Sequence, residues 1–110
     1  MKALSGYRIM WILAVFDLPV GTALERKKAT KFRKYLLDQG FVMMQFSVYL
    51  RFTASKEHAD SIAEDLSRNV PKAGKVDVLF FTDKQYGAIR TYRGKGEAPP
   101  PRKPNQLELF

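Results

Sequence analysis

The chain has 110 residues, 45% of them hydrophobic, enough for one domain with its own core and short enough that self-association helps to cover it. It has no cysteine, which excludes disulfides, thiolate zinc sites and cysteine nucleophiles and agrees with a reducing, cytoplasmic setting. Nineteen Lys and Arg against eleven Asp and Glu leave a net charge of +8, so a polyanionic partner is expected if that charge gathers on one face.

Met1 to Arg8 is too short and polar for a signal peptide, and no later segment has the length of a membrane span, so no membrane role is expected. From Ile9 to Phe16 eight apolar residues run without a break and stop at Asp17, followed by Leu18 and Pro19. The β-branched and aromatic content predicts a strand buried on both faces, ended by a proline that cannot donate to a ladder. Asp17 stands where the strand leaves the core. It can face water, a metal or another subunit, or it can cap the turn into the next helix.

Residues 22–39 predict a helix, with Thr22 as its cap and Gly40 as its stop. At 100° per residue Leu24, Lys28, Ala29, Phe32, Tyr35 and Leu36 share an arc of about 140°, the expected core stripe, with the Lys28 stem lying on it. Arg26, Lys27, Lys31, Arg33 and Lys34 fall on the opposite side, where only Glu25 and Asp38 oppose them. A solvated helix face is the ordinary explanation for such charges. Five cations with no interleaved acid also suffice to hold a phosphate backbone without reading its sequence.

Phe41 to Phe52 alternates as a strand, with Gln45 and Ser47 at its middle. It fits one long strand, or two shorter ones reversing near Gln45-Phe46-Ser47. Arg51, near a sheet edge, would extend the basic track. Ser55 to Asn69 predicts a second helix capped by Ser55, packed through Ala59, Ile62, Ala63, Leu66 and Val70 and closed by Pro71. Its outer side holds Glu57, Asp60, Glu64 and Asp65, a poor surface for DNA. Pro71 to Gly74 is a turn, Lys75 to Phe81 a strand ending at Thr82-Asp83, and Gln85 to Tyr92 a short amphipathic segment. Residues 1–92 then form the domain, 93–105 a Pro/Gly-rich arm, and Gln106 to Phe110 a terminal edge strand able to join a sheet of its own or another subunit.

The predicted order is an α+β, ferredoxin-like βαββαβ sandwich with an additional C-terminal strand, both helices on one sheet face and the other face left to be covered by a second copy. His58, in the first turn of an acidic helix, reads as a solvent-facing residue. Ser47 has no histidine to pair with, and Trp11 belongs to the core. Tyr7, Tyr49 and Tyr86 offer rings for base stacking, although aromatic residues on strands more often pack inward.

Phe16-Asp17-Leu18-Pro19, the basic helix leading to Gln39-Gly40-Phe41, Gln45-Phe46-Ser47-Val48-Tyr49, the strand entering Thr82-Asp83-Lys84-Gln85, and Gln106-Leu107-Glu108-Leu109-Phe110 together resemble the CRISPR-associated protein 2 family, the small partner of the spacer-acquisition integrase. The resemblance implies a homodimer with facing sheets and a turn at Gln45-Phe46-Ser47. It places two copies of Asp17 near one Mg2+ or other divalent cation, as catalytic and metal-binding residue, and adds the terminal strand across the dimer. It further implies partnership with CRISPR integrase subunits and with double-stranded protospacer DNA, together with a metal-dependent endonuclease activity on RNA or DNA. Two other readings share the topology: a stand-alone metal-dependent ribonuclease, and an RRM-like module for single-stranded RNA. For the second, Val76 to Phe81 lacks the Arg/Lys-Gly-Phe pattern.

Overall fold

A computed structural model describes residues 9–94; Tyr7, most of the arm and the terminal strand lie outside the described residues. The elements are β1 (Met10–Asp17), α1 (Ala23–Asp38), β2 (Val42–Gln45), β3 (Val48–Thr53), α2 (Lys56–Ser67), β4 (Lys75–Thr82) and α3 (Asp83–Gly87). The strands form one sheet in the order β2-β3-β1-β4, with every neighbouring pair antiparallel. This is the ferredoxin-like arrangement. The apolar run from Ile9 becomes a central strand because β3 and β4 pair along both its edges.

Period-two alternation then divides the core. Met10, Ile12, Ala14 and Phe16 point to the helices, where they pack with Ala29, Phe32 and Leu36 of α1 and Ala59, Ile62 and Leu66 of α2. Trp11 and Leu13 point the other way and form a smaller cluster with Leu50, Phe52, Phe81 and Tyr86. Fully burying one side chain of this size contributes about 1.5–3 kcal/mol, so the helix-covered cluster dominates stability. Thr53 is buried, and its hydroxyl donates to the Met10 carbonyl at 2.9 Å.

Local signals fix the element ends. Thr22 and Glu25 form a reciprocal capping box at the start of α1, and Ser55 accepts from the His58 N–H at the start of α2. Gly40 terminates α1 in the left-handed region at φ +89°, where a Cβ would stand 3.2 Å from Arg51 Nε. The Phe41–Phe52 stretch folds as two strands reversing at Phe46-Ser47, and β2 carries a register shift between Met43 and Gln45. The short segment after β4 is helical at Asp83–Gly87, shifted toward the N-terminus of its predicted span because Thr82 and Gln85 form a second capping box.

The core stripe of α1 is rotated by roughly 40° from the predicted arc. Leu24 is 60% exposed and Lys28 is exposed, while Ala29 is buried and Arg33 half-buried. The reason is steric: Ala29 is small enough to bring the helix down on the sheet along its own line, and this swings Arg33 toward the aromatic end of β1.

Candidate functional site

Asp17 closes β1 on the face that carries no α1 or α2. Its register partner on β4 is Lys75, and Val15, two residues earlier, is opposite Val48 and Asp77. The carboxylate is exposed and makes no hydrogen bond or ion pair within the described residues. Lys75 pairs with Asp77 instead, at 3.4 Å. Thr22, not Asp17, caps α1, so the capping alternative fails and the carboxylate faces solvent without a structural task.

No group of three His, Cys, Asp or Glu side chains among the described residues is placed to hold a metal. The Asp17 carboxylate is the kind of donor that magnesium takes, a hard cation that binds one or two carboxylates and fills its remaining positions with water and phosphate oxygens.

The surface beside Asp17 is apolar. Leu13 lies directly across from Leu50 and from Leu79, and Val15 across from Val48. Leu13, Met44, Val48, Leu50, Phe81 and Tyr86 line a groove of about 390 Å³ on this face. At the other end of β1, α3 lies over the sheet. Tyr86 stacks on Trp11 with centroids 4.2 Å apart, and Trp11 Nε1 donates to Asp83 Oδ1 at 2.9 Å. An RRM-type reader needs open aromatic rings on this face. Trp11 is 1% exposed beneath Tyr86, which removes its central platform. Tyr49 is also buried, on the helix-covered side against Phe16.

The predicted basic row divides into three parts. Lys27 and Lys31 are exposed and, among the described residues, have no carboxylate within ion-pair distance. Arg26 is exposed and donates to the Val20 carbonyl at 3.1 Å, and Lys34 pairs with Asp38 at 3.2 Å. Arg33 departs from the row. Its guanidinium lies 4.0 Å from the centroid of the Phe46 ring and 5.8 Å from that of Phe16. Arg51 also departs: it is half-buried under Gly40 on an inner strand, where burial lowers its pKa.

In their place the fold adds Lys28 and Lys72. With Lys31 and Arg68 they line a cleft of about 400 Å³ between α1 and the end of α2. Helical periodicity places Lys28 on the core stripe, and Lys72 sits in a turn where no periodicity marks it. Its place after a helix-closing proline was the only signal in the sequence. Arg68 is already engaged by Asp65, which also accepts a hydrogen bond from Tyr35. Burial first, and then Asp65, push the Tyr35 phenol up to about 12.

A family model described as CRISPR associated protein Cas2 matches residues 10–89. A protein of Paracidovorax avenae named CRISPR-associated endoribonuclease Cas2 is 48% identical over 97% of this chain and 99% of its own length. A protein of the same name from Flavobacterium psychrophilum is 47% identical over 97% of this chain and 93% of its own. In three dimensions the chain is similar to Streptococcus pyogenes Cas2, with TM-score 0.57 at 15% identity, covering 76% of this chain and 99% of that one. A second Cas2 crystal structure gives TM-score 0.55 at 21% identity, covering 86% and 99%. At those identities the structural likeness speaks for the fold.

Proposed function

The chain belongs to the CRISPR-associated protein 2 (Cas2) family, and from that premise we propose that it acts as a homodimer with the helix-free faces together. In this reading the two Asp17 carboxylates meet across the twofold and hold a divalent cation, Mg2+ or a similar ion, for cleavage of an RNA or DNA phosphodiester. The observation that carries it is the helix-free apolar face ending in an exposed Asp17 with no partner of its own. Relatives of this chain bear the name endoribonuclease, which agrees with the reading.

Asp17 would hold the metal, which when bound supplies Lewis acidity and a more acidic water at the scissile phosphate. The chain's own contribution is placement. β1 is paired on both edges, so the carboxylate stands on a rigid element at the boundary between the apolar face and solvent.

The same dimer is suited to architecture. Lys27, Lys28, Lys31 and Lys72 form a cationic surface away from the helix-free face. Such a surface holds duplex DNA by its phosphates with no base reading. A dimer carrying it can bridge the subunits of a CRISPR integrase while protospacer DNA lies across it. That second reading is favoured by the absence of carboxylate partners for these four lysines among the described residues.

The experiment is Val15→Glu, which puts a charge in the middle of the proposed interface without touching Asp17. Sedimentation is expected to show a folded monomer, and magnesium-dependent cleavage is expected to disappear with the dimer. A monomer that cleaves as well as the wild type would overturn the paired-carboxylate reading.

A further inference from the structure

Arg33 and Phe46 join two parts of the molecule that the proposed activity treats separately. Phe46 is at the tip of the β2–β3 turn and is 68% exposed, an unusual position for a large apolar ring. The turn is tied to the end of β1 because the Phe16 N–H donates to the Ser47 carbonyl at 3.1 Å. Asp17 is the next residue. The ring therefore stands at the rim of the sheet on the α1 side, while the Asp17 side chain leaves β1 on the opposite face.

The Arg33 guanidinium covers one side of that ring. Among the described residues it has no carboxylate partner, and its Nε is buried without a hydrogen bond, so an anion would be met by the terminal Nη groups. A guanidinium stacked on an aromatic ring is held flat, which leaves its edge, the part that forms paired hydrogen bonds with phosphate, in a fixed orientation. The other side of the Phe46 ring is open to stack a planar group. A cationic edge without an anion, beside an aromatic ring with a free face, is complementary to a nucleotide whose base is unstacked.

We propose that Phe46 and Arg33 hold one unpaired nucleotide at the β2–β3 turn, its base stacked on the open face of Phe46 and its phosphate on the Arg33 guanidinium. Bases within a duplex are already stacked, so this position selects a single-stranded segment, while the lysine surface of α1 binds duplex and single strand alike. The proposal rests on the nuclease reading for its biological use but not for its physical content. Phe46 and Arg33 act as positioning residues: they hold the strand and take no part in bond breaking.

The test uses the full chain and a short single-stranded RNA carrying a fluorescent adenine analogue at one position, with a duplex of the same sequence as reference. Wild type and Phe46→Trp are expected to quench the analogue in the single strand. Phe46→Ala is expected to lose the quenching and to weaken single-strand binding by about five- to a hundredfold, the usual worth of one stacked base. Its duplex affinity should stay within about twofold of wild type. Arg33→Lys keeps the charge but not the flat fork, and is expected to weaken single-strand binding while the melting temperature holds.

Equal losses of duplex and single-strand binding in Phe46→Ala would overturn the proposal, since the ring would then only anchor the turn. Retained quenching in a folded Phe46→Ala would also overturn it. Asp17→Asn separates the two readings. Quenching retained with cleavage unchanged refutes the nuclease assignment and supports the nucleotide position, whereas quenching absent in wild type with cleavage abolished by Asp17→Asn does the reverse.

Discussion

Replacing Lys27 and Lys31 together by Gln is expected to change the salt dependence of duplex binding by a calculable amount. Both ammonium groups are exposed on α1 and lack a carboxylate within ion-pair distance among the described residues. Each is therefore able to displace a condensed counterion when it meets a phosphate. The slope of log affinity against log salt is about −0.9 per phosphate neutralised on B-DNA, so losing both makes it shallower by about 1.8 for each copy engaged. Between about 50 and 200 mM salt, a fourfold change, the affinity lost would shrink by about twelvefold relative to wild type. Fluorescence anisotropy of a labelled duplex across a salt series measures this. Two controls lie in the same fold. Lys34 already faces Asp38 at 3.2 Å, so Lys34→Gln should move the slope less than either lysine alone. Glu57→Gln, on the exposed side of α2, should leave it unmoved. A folded double variant with the wild-type slope would refute the assignment of the α1 surface to phosphate contacts.

Stability predictions follow from the same contacts. The Tyr35 phenol, which donates to Asp65, is pushed from 10.0 to about 12 by burial first and then by Asp65. The folded chain keeps a proton that the unfolded chain releases near pH 10, so this stabilisation is complete below pH 10 and is lost as pH rises to about 12. Tyr35→Phe should cost about 1–2 kcal/mol at neutral pH in urea unfolding, and the deficit should narrow across that alkaline window. A deficit constant with pH would contradict the assignment. Gly40→Ala should cost about 1–2 kcal/mol, because φ is +89° and the new Cβ would press on Arg51. Adding Arg51→Ala removes the steric part only, so recovery of the Gly40→Ala deficit in that background should be partial; full recovery would show that the backbone is not strained.

The elements were legible wherever local chemistry decides. The eight-residue apolar run, the caps at Thr22 and Ser55 and the stop at Gly40 each act over a few residues, and each appears where periodicity and capping place it. The Phe41–Phe52 reversal was not decided by periodicity, because Phe46-Ser47 contains neither Gly nor Asn. That turn is held by long-range contacts, from Phe16 to Ser47 and from Arg33 to Phe46. Asp17 and the lysines of α1 stand exposed where the sequence places them, while Arg33 and Arg51 leave the expected basic row. A helical wheel assigns charges outward and cannot know that an exposed ring will come to lie beside Arg33. Arg51 follows strand alternation onto the helix-covered face, opposite Ile12, so its position depends on the pairing register. Lys72 carries no mark in the sequence because a turn has no face until the fold gives it one.

The most direct test is to measure magnesium-dependent cleavage of single-stranded RNA and of DNA by wild type and by Asp17→Ala, with sedimentation of both in the same buffers. Spacer integration is to be reconstituted in parallel with the cognate integrase. Asp17→Ala is expected to remain a dimer and lose cleavage, with integration persisting because duplex binding by the α1 lysines is untouched. Cleavage surviving in the folded Asp17→Ala dimer would contradict the paired-carboxylate site, and integration lost with the dimer intact would contradict an architectural role independent of Asp17.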